Sequence, residues 1–247
     1  MHKPESIYFF GSCLIDMLYP KAGLAAMQLI RNAGVSVIYP ANQTCCGQPA
    51  FNSGYRDEAL SVARSLLACF PKDIPIVVPS GSCAGMLKHH WAELFSGQPD
   101  QAEACAIASR TYELTQFLVE VLQLQLKDLG EPVKVAVHTS CSARREMGVA
   151  EHIESLLTQL DKVEVLEQHR KAECCGFGGT FAIKQPDISG AMLKDKTDSL
   201  RASGAERVIS QDSGCLMNIS GAFEQQGEGP STQHIAEFLW ERSHAPD

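Results

Sequence analysis

The chain has no run of the roughly 18–20 apolar residues that a membrane-spanning helix needs. Its first residues, Met-His-Lys-Pro-Glu-Ser, lead straight into a strand-like Ile-Tyr-Phe-Phe, with no apolar core and small-residue cleavage site of a secretion signal. A cytoplasmic location is therefore expected, where thiols stay reduced. Positive charge is scarce as well: 21 Lys and Arg stand against 29 Asp and Glu, for a formal net charge of −8. With no basic stripe to neutralise phosphates, nucleic acid is not expected as a partner. No strand-like run is followed by G-x-G-x-x-G, which removes the nicotinamide and flavin fingerprint. Walker, H-E-x-x-H and G-x-S-x-G motifs are also missing, so no residue is assigned a catalytic role. What remains is an ordinary globular balance, 45% hydrophobic and 20% charged over 247 residues, enough for one or two domains.

Cysteine is the exception, with ten residues. In a reducing compartment ten cysteines point to metal rather than to disulfides. Eight of them obey one spacing rule used twice. Cys13, Cys45, Cys46 and Cys83 form the first set, with 31 and 36 residues in the gaps. Cys141, Cys174, Cys175 and Cys215 form the second, with gaps of 32 and 39. Each set contains a Cys-Cys-Gly triplet. Adjacent cysteines pair poorly with each other in a disulfide, and they differ from the C-x-x-C knuckles of ordinary zinc sites. Two thiolates leaving one sharp turn can hold two irons of one cluster. Gly47 and Gly176 give the turn its unusual dihedrals and let backbone approach a bulky ligand. All eight cysteines are thus candidate metal ligands and cofactor-binding residues, one centre per half. Cys69 and Cys105 lie in apolar helical patterns and are expected to pack in the core.

The two halves align at an offset of 128 to 132 residues, which divides the chain into repeats at 1–130 and 131–247. Short apolar runs at 7–10, 35–39, 76–78, 133–137, 163–166 and 207–209 suit strands buried on both faces. Helical patterns occupy 22–32, 56–69, 104–126, 151–160 and 188–202. Strand alternating with helix predicts an α/β fold of two pseudo-repeated halves, each a mostly parallel sheet flanked by helices. The cysteines then fall at the carboxyl ends of strands, the edge where α/β sheets hold ligands. His138 lies at such a strand end, three residues before Cys141, and is a candidate to donate to a sulfur, relay a proton or cap a turn. Its counterpart in the first half is Phe10. Arg144 and Arg145 are candidates to balance the charge of a centre or contact a carboxylate, with a plain surface role as the alternative. The residues His89, His90, His152, His169, His234 and His244 show no ligand spacing and read as mostly solvated.

The strings CCGQPAFNSGY (45–55), GSCAGM (81–86), HTSCSARREMGV (138–149), CCGFGGTFAIK (174–184) and SGCLMNISG (213–221) resemble the cysteine-rich CCG-domain family of iron–sulfur oxidoreductases, over nearly the whole chain. Members include the cysteine-rich subunit of heterodisulfide reductase and the iron–sulfur subunit of glycolate oxidase. The likeness is strongest to the branch serving a three-part L-lactate dehydrogenase complex. It implies an iron–sulfur subunit working beside a ferredoxin-type protein and a third small subunit to oxidise L-lactate to pyruvate. It also implies that the eight repeated cysteines are the ligands. Where heterodisulfide reductase-like members carry a fifth cysteine in C-x-x-C, this chain has Met86 and Asn218, so disulfide-cleaving chemistry is not carried over. Four thiolates suffice for a [4Fe–4S] cluster in each half. The alternative is a scaffold subunit in which each four-cysteine set closes around a structural zinc ion.

Overall fold

Alternating side chains of the central strands serve two different cores, and that alternation sets the architecture. The computed structural model describes residues 2–244. In the first half the strands are β1 (Ser6–Phe9), β2 (Ser36–Ile38), β3 (Ile76–Val78) and β4 (Thr111–Glu113). In the second they are β5 (Val133–Val137), β6 (Val163–Val165), β7 (Arg207–Ser210) and β8 (Ser231–His234). Every pairing is parallel, in the orders β2-β1-β3-β4 and β6-β5-β7-β8. Ile7, Phe9, Val77, Val135, Val137 and Ile209 point into one core common to both sheets. Their chain neighbours Tyr8, Ile76 and Val78 point into a core belonging to the first half, and Ala136 and Val208 into one belonging to the second. Near-continuous burial of this kind is what a parallel sheet covered on both faces requires.

The halves also exchange helices. The Pro20–Asn32 helix of the first half packs along Ile235–Ser243, the last helix of the chain. Reciprocally, Ala150–Leu157 of the second half packs on the turns at Leu114–Gln116 and Phe117–Val121 of the first. Leu29, Ile30, Phe117, Leu156, Phe238 and Leu239 meet in the common core as a result. The connection between halves is clamped by an Arg242–Asp128 ion pair of 2.6 Å whose side chains are only 5% and 0% exposed. Breaking such a buried pair by removing one partner typically costs about 3–5 kcal/mol.

The pattern at 104–126 is not one helix. It divides into the Gln101–Ser109 helix, β4, and the turns ending at Val121. Arg110 donates to the carbonyls of Phe70 and Ile74, and Thr111 takes its place beside Ile76. These long-range bonds outweigh the helical spacing of the apolar residues. Glu113 ends β4 completely buried, and its Oε2 accepts from the Thr115 and Gln116 amides. Burial pushes its carboxyl up to about 7 from an ordinary 4.5. Folded protein keeps that proton up to about pH 7, whereas unfolded chain releases it near 4.5. The stabilisation is therefore complete below the unfolded value and lost as pH rises through the folded one. Glu113→Gln should remove this dependence. Relative to wild type, the variant should gain on the order of 3 kcal/mol in denaturant unfolding between about pH 5 and about pH 8. A pH-independent difference between the two proteins would mean that Glu113 is ionised throughout.

Candidate metal centre

In each sheet the chain starts at an inner strand, moves outward to one edge, then crosses back to the other side. β1 and β3 therefore flank a switch point, as do β5 and β7, and the crevice above such a point is where α/β sheets bind ligands. Cys13 opens the helix after β1, and Cys83 lies in the helix after β3. Cys141 and Cys215 hold the matching places after β5 and β7, and the Cys-Cys-Gly turns follow β2 and β6. All eight repeated cysteines line a single cavity of about 200 Å³, together with Ser12, Leu14, Phe177 and Asp212.

Within that cavity the sulfurs keep to two quartets. In the first, Cys13 interacts with Cys45, Cys45 with Cys46, and Cys46 with Cys83. Cys46 Sγ lies 3.4 Å from Cys83 Sγ. In the second, Cys141 interacts with Cys174, Cys174 with Cys175, and Cys175 with Cys215. All ten cysteines are free thiols. Hydrogen bonds from Cys13 and Cys46 hold the Cys45 thiol down at about 3. The same contacts, with burial, push Cys13 and Cys46 up, and Cys141 rises through its bond to Cys174 and burial. Buried and partly buried thiols linked in succession like this cannot all ionise unless a cation shares their space. Backbone amides already favour the thiolate form: Leu14, Gly47, Ser142, Gly176 and Phe177 donate toward Cys13, Cys45, Cys141, Cys174 and Cys175. The donor set, its crowding and its amides fit a metal or an iron–sulfur centre in each quartet.

The Cys-Cys-Gly turns are shaped by their third residue. Gly47 sits at φ 88°, where an added Cβ would stand 3.1 Å from the Ala59 carbonyl oxygen. Gly176 sits at φ 81°, where it would stand 2.5 Å from that of Ser189. A side chain crosses from the following helical segment to hold each turn. Trp91 Nε1 donates to Cys46 O at 3.3 Å, and Asn218 Nδ2 to Cys175 O at 2.9 Å. Asn218 thus anchors backbone, while Met86 is wholly buried in the first half's core. Ser12, just before Cys13, is forced to φ 53° and ψ 157°, a region nearly confined to glycine; its counterpart Ser140 is unstrained at φ −62°.

Asp212 was not singled out in the sequence. Buried to 3% exposure, it accepts from Ser82 N at 2.9 Å and Ser82 Oγ at 3.1 Å, tying the second half's cavity wall to the first half's. Its partner lies 130 residues away, so no local pattern announces it. Lys196 was missed too. It is fully buried, donates to the carbonyls of Arg170 and Lys171, and adds positive charge near Cys174 and Cys175. Arg144 donates to the Ala172 carbonyl and Arg145 is exposed; neither lines the cavity. Cys69 is buried as expected, but Cys105 is exposed. His234 is not solvated: it is 1% exposed, accepts from Ala236 N to cap the last helix and reaches Pro79 O. His138 is fully buried, with a ring nitrogen and the sulfurs of Cys175 and Cys215 all within 4.8 Å of one another.

The model of the cysteine-rich CCG domain matches residues 7–88 and again 135–220. Among curated proteins, the chain is 42% identical to lactate utilization protein A of Shouchella clausii over 95% of this chain and 98% of that one. It is 40% identical to lactate utilization protein A of Oceanobacillus iheyensis, over 94% and 96%. Lactate utilization protein A 1 of Bacillus mycoides is 41% identical, again over 94% and 96%. A hypothetical protein from Helicobacter pylori shares the fold at 11% identity, with a TM-score of 0.65 over the whole of this chain. This chain spans about half, 51%, of the length of that protein.

Proposed function

The chain belongs to the cysteine-rich CCG-domain family, and from that premise we propose that it is the iron–sulfur electron-transfer subunit of a complex oxidising L-lactate to pyruvate. The observation that carries the reading is the convergence of eight free cysteines from two sheets on one cavity, in two quartets. Cys13, Cys45, Cys46 and Cys83 would hold one [4Fe–4S] cluster, and Cys141, Cys174, Cys175 and Cys215 another. Each cluster, when bound, accepts and releases one electron. Lactate oxidation yields two electrons, so a pair of one-electron centres matches the count. The protein's own part is to donate amides to sulfur, which tunes a bound cluster, and to exclude water. Leu14 and Phe177 line the cavity and serve the second purpose. Arg144 and Arg145 lie outside the cavity, and no substrate contact is assigned to them.

Met17 and Leu18 on the Cys13–Leu18 helix, and Ile183 just past the second Cys-Cys-Gly turn, are exposed apolar side chains on segments bordering the cavity. Such residues suit the docking of partner subunits, in this reading a ferredoxin-type iron–sulfur protein and a third small subunit. No helix among the described residues is long and apolar enough to cross a membrane. A cytoplasmic site is proposed because ten free thiols persist there. The repeats are proposed to divide at 1–130 and 131–247.

Oxygen-free purification of the complex tests the proposal. The expected product is brown, with roughly eight irons per copy of this chain, and L-lactate should bleach it. Iron without a response to lactate would sink the substrate assignment alone. A colourless protein with zinc in both quartets would replace the electron carrier with a scaffold.

A further inference from the structure

Three residues that stand directly before candidate ligand cysteines aim their donors at one carboxylate. Asp212 is 3% exposed and lines the cavity. Ser82, before Cys83, donates its amide to Oδ2 at 2.9 Å and its hydroxyl to Oδ1 at 3.1 Å. The Ser140 hydroxyl, before Cys141, accepts from Ala143 N at 3.1 Å and turns its own proton to the same carboxylate. The amide of Gly214, before Cys215, donates to it as well. One side chain thus holds one segment of the first quartet and two of the second. The equivalent position in the first half is Ser80, whose hydroxyl pairs with that of Ser82 at 3.0 Å. Gly81 leaves no slack between the halves here: an added Cβ would stand 2.7 Å from Ala143 Cβ and 3.0 Å from Ala143 N. Burial opposes the charged form of Asp212, and the hydroxyl and amide donors offset that cost.

We propose that Asp212 is a positioning residue shared by the two centres: its carboxylate fixes the residues directly before Cys83, Cys141 and Cys215, and sets a negative charge beside both quartets. The inference rests on the reading that each quartet bears an iron–sulfur cluster. Fixing the residue before a ligand orients the ligand itself, as the outer partners of metal-binding side chains do. The charge has a separate effect. Asp212 acts electrostatically on Cys141 and Cys215, and its bonds to Ser82 place it one residue from Cys83. An electron entering either cluster adds negative charge, so a carboxylate held nearby lowers both potentials. The halves divide this work unequally. The first supplies the donor Ser82, and the second supplies the acceptor, with Gly214 in the place of Ser82 leaving room for the Phe177 ring.

The test uses full-length protein purified without oxygen, analysed for iron and reduced in a potentiometric titration followed by EPR. Asp212→Asn keeps one acceptor oxygen and removes the charge, so both centres should titrate at higher potential than in wild type. Asp212→Ser, which copies Ser80, is too short to bridge, and both quartets should bind iron roughly tenfold more weakly or worse. Ser82→Ala keeps the carboxylate and removes one of its bonds. It should weaken iron binding in both quartets to a smaller degree, and it decides the matter should the Asp212 variants fail to fold. A response confined to one centre would overturn the shared role. Wild-type potentials in Asp212→Asn, with full iron in Asp212→Ser, would overturn the assignment and leave the iron–sulfur reading standing. Wild-type protein that takes up iron in neither quartet would overturn both.

Discussion

Cys175→Ser should strip roughly half of the metal from the chain and leave the first quartet loaded, and Cys46→Ser should do the reverse. Serine preserves the size of the side chain but is not a thiolate, the form that grips soft metal. Both residues are almost fully buried, at 1% and 2% exposure, and each sits in the middle of its quartet. The hydrogen bonds that link the sulfurs run within each quartet. Metal analysis of oxygen-free preparations reads the outcome, and the double variant should be empty. Cys105→Ser, at an exposed thiol far from either set in sequence, should retain everything. The informative alternative is complete loss from a single substitution. Because all eight cysteines face one cavity, that result would mean one shared eight-thiolate centre in place of two.

The second large effect is expected at Gly176. Alanine there must adopt φ 81° with its methyl carbon 2.5 Å from Ser189 O, 3.2 Å from Met192 Cβ and 3.3 Å from Leu193 N. The left-handed conformation alone costs about 1–2 kcal/mol. The obstruction is backbone of the Pro186–Ala202 helix, whose Ser189 hydroxyl also donates to Gly176 O at 2.8 Å, so relief requires moving that helix away from the turn. Together these should destabilise the protein by about 3 kcal/mol or more, and should loosen Cys174 and Cys175 enough to lose metal from the second quartet first. Gly179 supplies the comparison. It also has positive φ, at 62°, but open space around it, so alanine should cost only about 1 kcal/mol. Denaturant titration of both variants checks the ordering; equal midpoints would show that the helix yields freely and that the turn is softer than its contacts suggest.

Much of the site was legible because its signals are local and repeated. The cysteine spacing recurs, and each cysteine follows an apolar run short enough to be a buried strand. β4 and β8 escaped notice because Thr-Tyr-Glu and Ser-Thr-Gln-His carry little apolar character; they are outer strands held by pairing to Ile76–Val78 and Arg207–Ser210. The helical spacing across 104–126 misled for the converse reason, since Arg110 makes its decisive bonds to carbonyls 36 and 40 residues away. Asp212 and His234 each depend on a partner in the other half, at Ser82 and Pro79, and no window of sequence contains both ends. Cys105 lies on the solvent side of a helix whose apolar residues surround the axis, a pattern that leaves the buried face undetermined.

The exchanged helices carry an implication for biosynthesis. Chains emerge N-terminus first, so Pro20–Asn32 waits for its cover until Ile235–Ser243, more than 200 residues later, has left the ribosome. Until then Leu29 and Ile30 lack the cover that Phe238 and Leu239 give them. A nascent fragment ending before residue 235 therefore lacks the helix that closes the core shared by the two sheets.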